Sequence, residues 1–225
     1  MTCISFPSAP DAVKDAVEAD TLVADDWGDG VEAVCVMSAI VRGAQSVEDC
    51  VTAGWPEWLT RAVINLFDAK SRSGREQEDR CEFALALAIA VSRPFDHLKA
   101  RDLYLLKGLP RDLDWMRREH RADRRFHAVE AVLVKAIDIL KRRANGEDVD
   151  AAALLAEKEA SEARGGGDSP YVTILSNTAD AVRLALKKTS PIYAGVGDAA
   201  NSRRHLIEAI TEASITETYS TVTEE

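Results

Sequence analysis

The stretch Phe126-His127-Ala128-Val129-Glu130-Ala131-Val132-Leu133-Val134-Lys135-Ala136-Ile137-Asp138-Ile139-Leu140-Lys141-Arg142-Arg143 decides the fold class. Phe126, Val129, Leu133, Ile137 and Leu140 recur at steps of 3, 4, 4 and 3. A helix turns once in about 3.6 residues, so these side chains form one apolar stripe. Lys141, Arg142 and Arg143 complement the negative end of the helix dipole, and Asn145-Gly146 offers a stop. The pattern predicts a helix from Arg124 to Arg143.

Toward the N terminus the same reading continues. Leu113 to Arg121 reads as helical, and Lys99 to Lys107 as a short helix closed by Gly108 and Pro110. Glu76 to Ser92 is a helix ended before Pro94, preceded by a polar loop from Ser71 to Arg75. Leu59, Val63, Leu66 and Phe67 share one face of a helix that Pro56 can start. Ser46 is a cap with Glu48 and Asp49 in its first turn. Dense apolar residues predict a central helix from Val31 to Arg42, stopped by Gly43. Asp11 to Val23 has helical spacing, and Met1 to Pro10 reads as an irregular arm.

Toward the C terminus, Glu147 to Arg164 is an alanine-rich helix, and Gly165-Gly166-Gly167 is a flexible linker. Ser169 to Lys188 is a helix, or a β-like piece (Tyr171 to Leu175) followed by one. Ala199 to Glu212 is the last helix. The expected fold is all-α: a bundle of about eight to ten antiparallel helices with at most one short β-like segment. The domain reading is a main helical domain over 1–164, a Gly-rich linker over 165–168, a helical pair over 169–213 packed on the main domain, and a flexible tail over 214–225.

The 225 residues are 46% hydrophobic and carry a net charge of −10, enough apolar material for a core. The acidic balance disfavours nucleic acid and suits a basic protein partner. Cys3, Cys35, Cys50 and Cys81 form no C-x-x-C pair, and the last three read as buried thiols. No signal peptide or membrane-length apolar run is present, the longest being Phe83 to Val91. A cytoplasmic protein is expected, with no membrane contact.

Several constellations could carry chemistry. Asp25-Asp26-Trp27-Gly28-Asp29 matches D-D-x-x-D in letters, but its glycine argues for a loop, and Trp27 and Val36 occupy positions where a calcium loop needs oxygen ligands. It reads as a solvated turn. Gly195-Val196-Gly197-Asp198-Ala199-Ala200 has the letters of a dinucleotide fingerprint without a βαβ unit around it, and reads as a turn with Asp198 as cap. No nucleophile motif is found, and no cofactor is expected.

Glu119, Asp123, His127 and Glu130 lie at spacings of 4, 4 and 3, and would share a face if one helix ran unbroken from Leu113 to Arg143. Such a set could hold a metal ion with ligands from another helix, or form ordinary i,i+4 pairs. On the same condition Arg117, Arg118, Arg121, Arg124 and Arg125 form a stripe suited to an anion or an acidic partner surface. Residues 111–143 hold ten Lys/Arg and six Asp/Glu, against an acidic remainder. Trp55 and Trp58 could anchor an interface or plug a gap between helices.

Trp55-Pro56-Glu57-Trp58-Leu59 leading to Leu66-Phe67-Asp68, the alanine-rich run Ala151 to Ala163, and the run Ala194 to Ala213 follow one another in a familiar layout. In that layout the chain resembles uncharacterised alanine-rich helical proteins of bacteria and phages, including some labelled immunity proteins. The resemblance implies an accessory protein that works by binding another protein. The expected function is a non-enzymatic interaction module, of toxin-neutralising or counter-defence type, with a basic partner. A metal-dependent helical enzyme acting on a phosphorylated small molecule is the first alternative. A homodimer built on the seam from Phe126 to Leu140 is the second.

Overall fold

The computed structural model describes residues 3–24, 27–28, 33–69, 74–119, 124–147, 149 and 199–215, and among these the chain is all-α, with eight helices and one two-stranded sheet. The elements are β1 (Cys3–Ile4), α1 (Ala9–Glu18), α2 (Val36–Ile40), α3 (Val47–Thr52), α4 (Glu57–Asp68), α5 (Glu76–Val91), β2 (Phe95–Asp96), α6 (His97–Glu119), α7 (Arg124–Ala144) and α8 (Ala199–Glu212).

The core forms where the apolar stripes face one another. Leu59, Val63, Leu66 and Phe67 of α4 are all fully buried, as the spacing requires. Ala84, Leu87, Ala88 and Val91 of α5 meet Leu206, Ala209 and Ile210 of α8 in the same cluster. On the α4 side Ser46 caps α3: its hydroxyl accepts from the Asp49 amide at 3.1 Å, while the Asp49 carboxylate accepts from the Gln45 amide at 2.9 Å. The latter bond, followed by the Ser46 contact, holds the Asp49 carboxyl below its ordinary range.

The end of α4 is closed by arginines from elsewhere. Arg203 of α8 donates to the carbonyls of Leu66 (2.8 Å), Phe67 (3.3 Å) and Ala69 (2.8 Å). Arg80 of α5 donates to Phe67 (2.9 Å) and Asp68 (3.3 Å). The last carbonyls of a helix lack intrahelical donors and carry partial negative charge, so a buried guanidinium satisfies both needs.

Four expectations change. Gly108 and Pro110 do not close a helix, because α6 runs through both. Proline removes one backbone bond and costs about 3 kcal/mol in a helix interior. Leu105, Leu109 and Leu113, one turn apart and buried, hold α6 against α7 and α8 and offset that loss. The predicted helix from Val31 shrinks to α2, because Val34 and Cys35 are drawn into extended pairing: the Val34 amide donates to Thr21 at 2.8 Å and the Cys35 amide to Trp27 at 3.2 Å. The N-terminal arm is not irregular throughout. Cys3 and Ile4 pair antiparallel with Asp96 and Phe95, and α1 already starts at Ala9. Ser214 also bridges Phe95, and Ile215 donates to the Pro94 carbonyl at 2.9 Å, so the first tail residues are tied down. Of the helix expected from Glu147 to Arg164, Glu147 and Val149 are described and are not helical, and its remaining residues, the linker, the segment Tyr171 to Leu175 and the rest of the tail lie outside the described residues.

The fourth change concerns α6 and α7. They are separate helices packed side by side, and Arg117 donates to the Glu130 carboxylate at 2.7 Å. In one unbroken helix these two residues would stand about 20 Å apart. The condition on which both charged stripes rested therefore fails.

Candidate functional site

Residues 1–50 contain ten acidic side chains and two basic ones, Lys14 and Arg42, and so hold −8 of the chain's −10. This segment builds α1, α2 and the start of α3. A groove of about 650 Å³ opens in it, lined by α1, by the turn at Trp27 and Gly28, and by the segment 38–45. Small side chains, Ala12 and Ala16 on one wall and Ala39, Gly43 and Ala44 on the other, leave the space unfilled.

Each wall has a physical origin. Asp11 and Asp15 stand one helical turn apart and are both exposed on the groove side of α1. Among the described residues neither carboxylate takes part in an ion pair or a side-chain hydrogen bond. The half-buried Trp27 is fixed through its backbone, whose carbonyl accepts from the Cys35 amide and from the Ser38 hydroxyl, both at 3.2 Å. Ser38, itself buried, shares its one hydroxyl proton between the Trp27 and Ala44 carbonyls and so ties the turn to the opposite wall.

Gly28 makes the turn possible. Its φ is +77°, and a Cβ there would lie 2.0 Å from the Ala33 carbonyl oxygen. Both the backbone conformation and the close approach exclude a side chain. Trp27 and Gly28 are thus pinned through their backbone, and Asp25, Asp26 and Asp29, their neighbours in sequence, lie outside the described residues.

A second cleft, of about 560 Å³, lies between the start of α6 and the end of α7. Asp102 at its base is 3% exposed and Arg101 4%. Arg101 donates through Nε (3.0 Å) and Nη2 (2.9 Å) to one carboxylate oxygen of Asp102, and Arg143 donates to the other at 3.0 Å. Asp96 caps α6 by accepting from the amides of Leu98 (3.0 Å) and Lys99 (3.2 Å). His97 beside it accepts from the Trp58 indole at 3.4 Å, and burial pushes its pKa below the ordinary histidine value. Arg101, Asp102 and Arg143 satisfy one another and join the two helix ends.

The sequence-predicted site residues fare differently. Arg117 reaches Glu130 across the hairpin and also faces Asp114 at 4.0 Å, and Arg118 donates to the Asp114 carbonyl at 3.4 Å. Arg121 and Asp123 lie outside the described residues, and so do the side chains of Glu119, Arg124, Arg125 and His127. Among the described residues no group of three or more His, Cys, Asp or Glu is placed to hold a metal ion.

Trp55 is 1% exposed and stacks on Phe6 with ring centroids 4.6 Å apart, and Trp58 is 5% exposed. Both fill the core where α3 turns into α4, so neither offers a face to a partner. In the α7 seam Ile137 and Leu140 are buried, with α6 packed alongside, and the side chains of Phe126, Val129 and Leu133 lie outside the described residues. Cys35 and Cys50 are buried thiols, the second pushed up to about 12 mainly by burial, whereas Cys81 is only partly covered and Cys3 is exposed.

The groove escaped sequence reasoning because Asp11, Asp15, Trp27 and Ser38 share no motif. A running charge count over the first fifty residues would have pointed to it. No protein-family model, curated protein or solved structure matches the chain.

Proposed function

We propose that this protein is a non-enzymatic binding module whose acidic N-terminal segment engages a basic protein partner. The concentration of −8 in residues 1–50 carries the reading, since a segment of one sign steers and selects an oppositely charged surface. Asp11 and Asp15, with no ion pair among the described residues, support it. Among the described residues no helix is long and apolar enough to cross a membrane, and the four free cysteines accord with work in the cytoplasm. Neutralising a toxin or a defence factor is a role such a module can fill, because occluding a basic surface requires no chemistry.

The test is affinity capture from native lysate with the full chain and with a variant carrying Asp11→Asn, Asp15→Asn and Glu48→Gln. Captures at about 0.1 M and about 1 M salt, where screening lengths are about 10 Å and about 3 Å, bracket the electrostatic contribution. The expected result is a basic protein retained by the wild type at low salt and lost with the variant or at high salt. No captured protein, or one held equally by both chains, overturns the reading.

A further inference from the structure

We propose that the groove between α1 and the Trp27 turn is where the partner docks, by receiving a Lys or Arg side chain from a basic segment of it. The inference rests on the acidic-segment reading and adds the site and the chemistry that fills it. Asp11 and Asp15 supply two exposed carboxylates one turn apart on a single wall. Trp27 supplies an aromatic ring held in place by the bonds its carbonyl receives from Cys35 and Ser38. Carboxylates and an indole in one concave site form the recognition set for a cation: charge-assisted hydrogen bonds on one side and cation–π attraction on the other. The volume, about 650 Å³, exceeds what one side chain fills, so flanking residues of the same segment enter with it.

One residue opposes this arrangement and makes the proposal sharp. Arg42 lines the same groove, is exposed, and has no ion pair with a described residue. An entering cation meets it as a like charge. Removing Arg42 must therefore strengthen binding, whereas removing the carboxylates must weaken it.

The experiment uses the full chain and an oligo-arginine peptide, with oligo-lysine as a second cation and oligo-glutamate as control. Binding is followed by the indole and backbone signals in ¹H–¹⁵N spectra, with the Trp27 indole assigned through Trp27→Phe. Saturable shifts are expected at Trp27 and Gly28 with the cationic peptides alone. The double variant Asp11→Asn, Asp15→Asn weakens binding by about tenfold, the loss of two exposed ionic contacts at roughly threefold each. Arg42→Ala tightens it by about threefold. Urea midpoints are measured for each variant, and opposite changes in binding at an unchanged midpoint separate a docking effect from a folding defect. If the peptide binds but moves signals around Glu76, Glu78, Asp79 and Glu82 of α5 instead, the groove is wrong and the acidic-partner reading survives in broader form. If both variants bind as the wild type does, the groove is again wrong. If no cationic peptide binds at low salt, both readings fall.

Discussion

The hairpin of α6 and α7 and the groove on α1 both carry charge, and the charges that can be followed in each have different fates. In the hairpin three arginines find partners inside the chain: Arg117 with Glu130, Arg142 with Glu147 at 2.7 Å, Arg143 with Asp102. In the groove Asp11, Asp15 and Arg42 face open space, without an ion pair to a described residue. Charge density in sequence therefore does not locate a binding surface. Charge left unpaired after folding does, because only that charge is available to another molecule.

The sharpest way to break the comparison is at the base of the hairpin. Asp102→Asn leaves the guanidiniums of Arg101 and Arg143 without their shared counter-charge in a site where Asp102 is 3% exposed. Removing one member of a buried ionic cluster costs about 3–5 kcal/mol. Urea denaturation should show that loss. A change below about 1 kcal/mol would mean that the hairpin charges are not what joins the two helix ends.

On the groove side the corresponding lesion is Gly28→Ala. It combines a positive φ with a Cβ 2.0 Å from backbone, so the turn must move. Strain of this kind costs on the order of 1–3 kcal/mol, and here it should be local. The expected signature is a displaced Trp27 indole signal with weaker peptide binding, while the α4–α5–α8 core keeps its hydrogen-exchange protection. Uniform loss of protection would show that the turn is part of the global fold and not a mounted binding element.

His97 opens α6 and accepts the Trp58 indole hydrogen. Its pKa is depressed, chiefly by burial, and that of His205 is depressed for the same leading reason. The unfolded chain then takes up these protons before the folded chain does. Stability is fully present above the ordinary histidine value of about 6.5 and declines as pH falls from there through the depressed folded values. Denaturation midpoints should drop between neutral and mildly acidic pH, and His97→Gln should flatten that drop. A midpoint that rises on acidification contradicts the burial of a neutral imidazole.

What sequence could and could not reveal follows the same line. Periodicity exposed the helices because apolar spacing is local: the stripe of Leu59, Val63, Leu66 and Phe67 and the cap at Ser46 appear where expected. It misjudged Pro110, because the packing of Leu105, Leu109 and Leu113 that keeps α6 whole comes from α7 and α8. It misjudged Val34 and Cys35, whose apolar character suits a helix but whose backbone pairs with Thr21 and Trp27. The pairing of Cys3 and Ile4 with Phe95 and Asp96 joins residues about ninety positions apart through backbone bonds, which leave almost no trace in side-chain pattern. The groove was hidden for a related reason: it is defined by what three segments fail to fill.

The smallest expected effects test the comparison most directly, because they should differ in sign. Arg117→Ala removes an ion pair whose side chains are 48% and 26% exposed. Such pairs contribute about 0.2–1 kcal/mol, so a slight loss of stability is expected. Asp15→Asn removes a carboxylate that stabilises nothing described and repels Asp11 one turn away. Like charges at that spacing cost about 0.2–0.5 kcal/mol, so stability should hold or rise slightly. The same substitution should weaken binding of the cationic peptide, while Arg117→Ala leaves it unchanged. Paired denaturation and titration measurements on these two variants would then move in opposite directions: one loses stability and keeps binding, the other keeps stability and loses binding. If Asp15→Asn instead destabilises the fold, its carboxylate has a partner within the chain, and the groove loses its claim to charge held in reserve for another molecule.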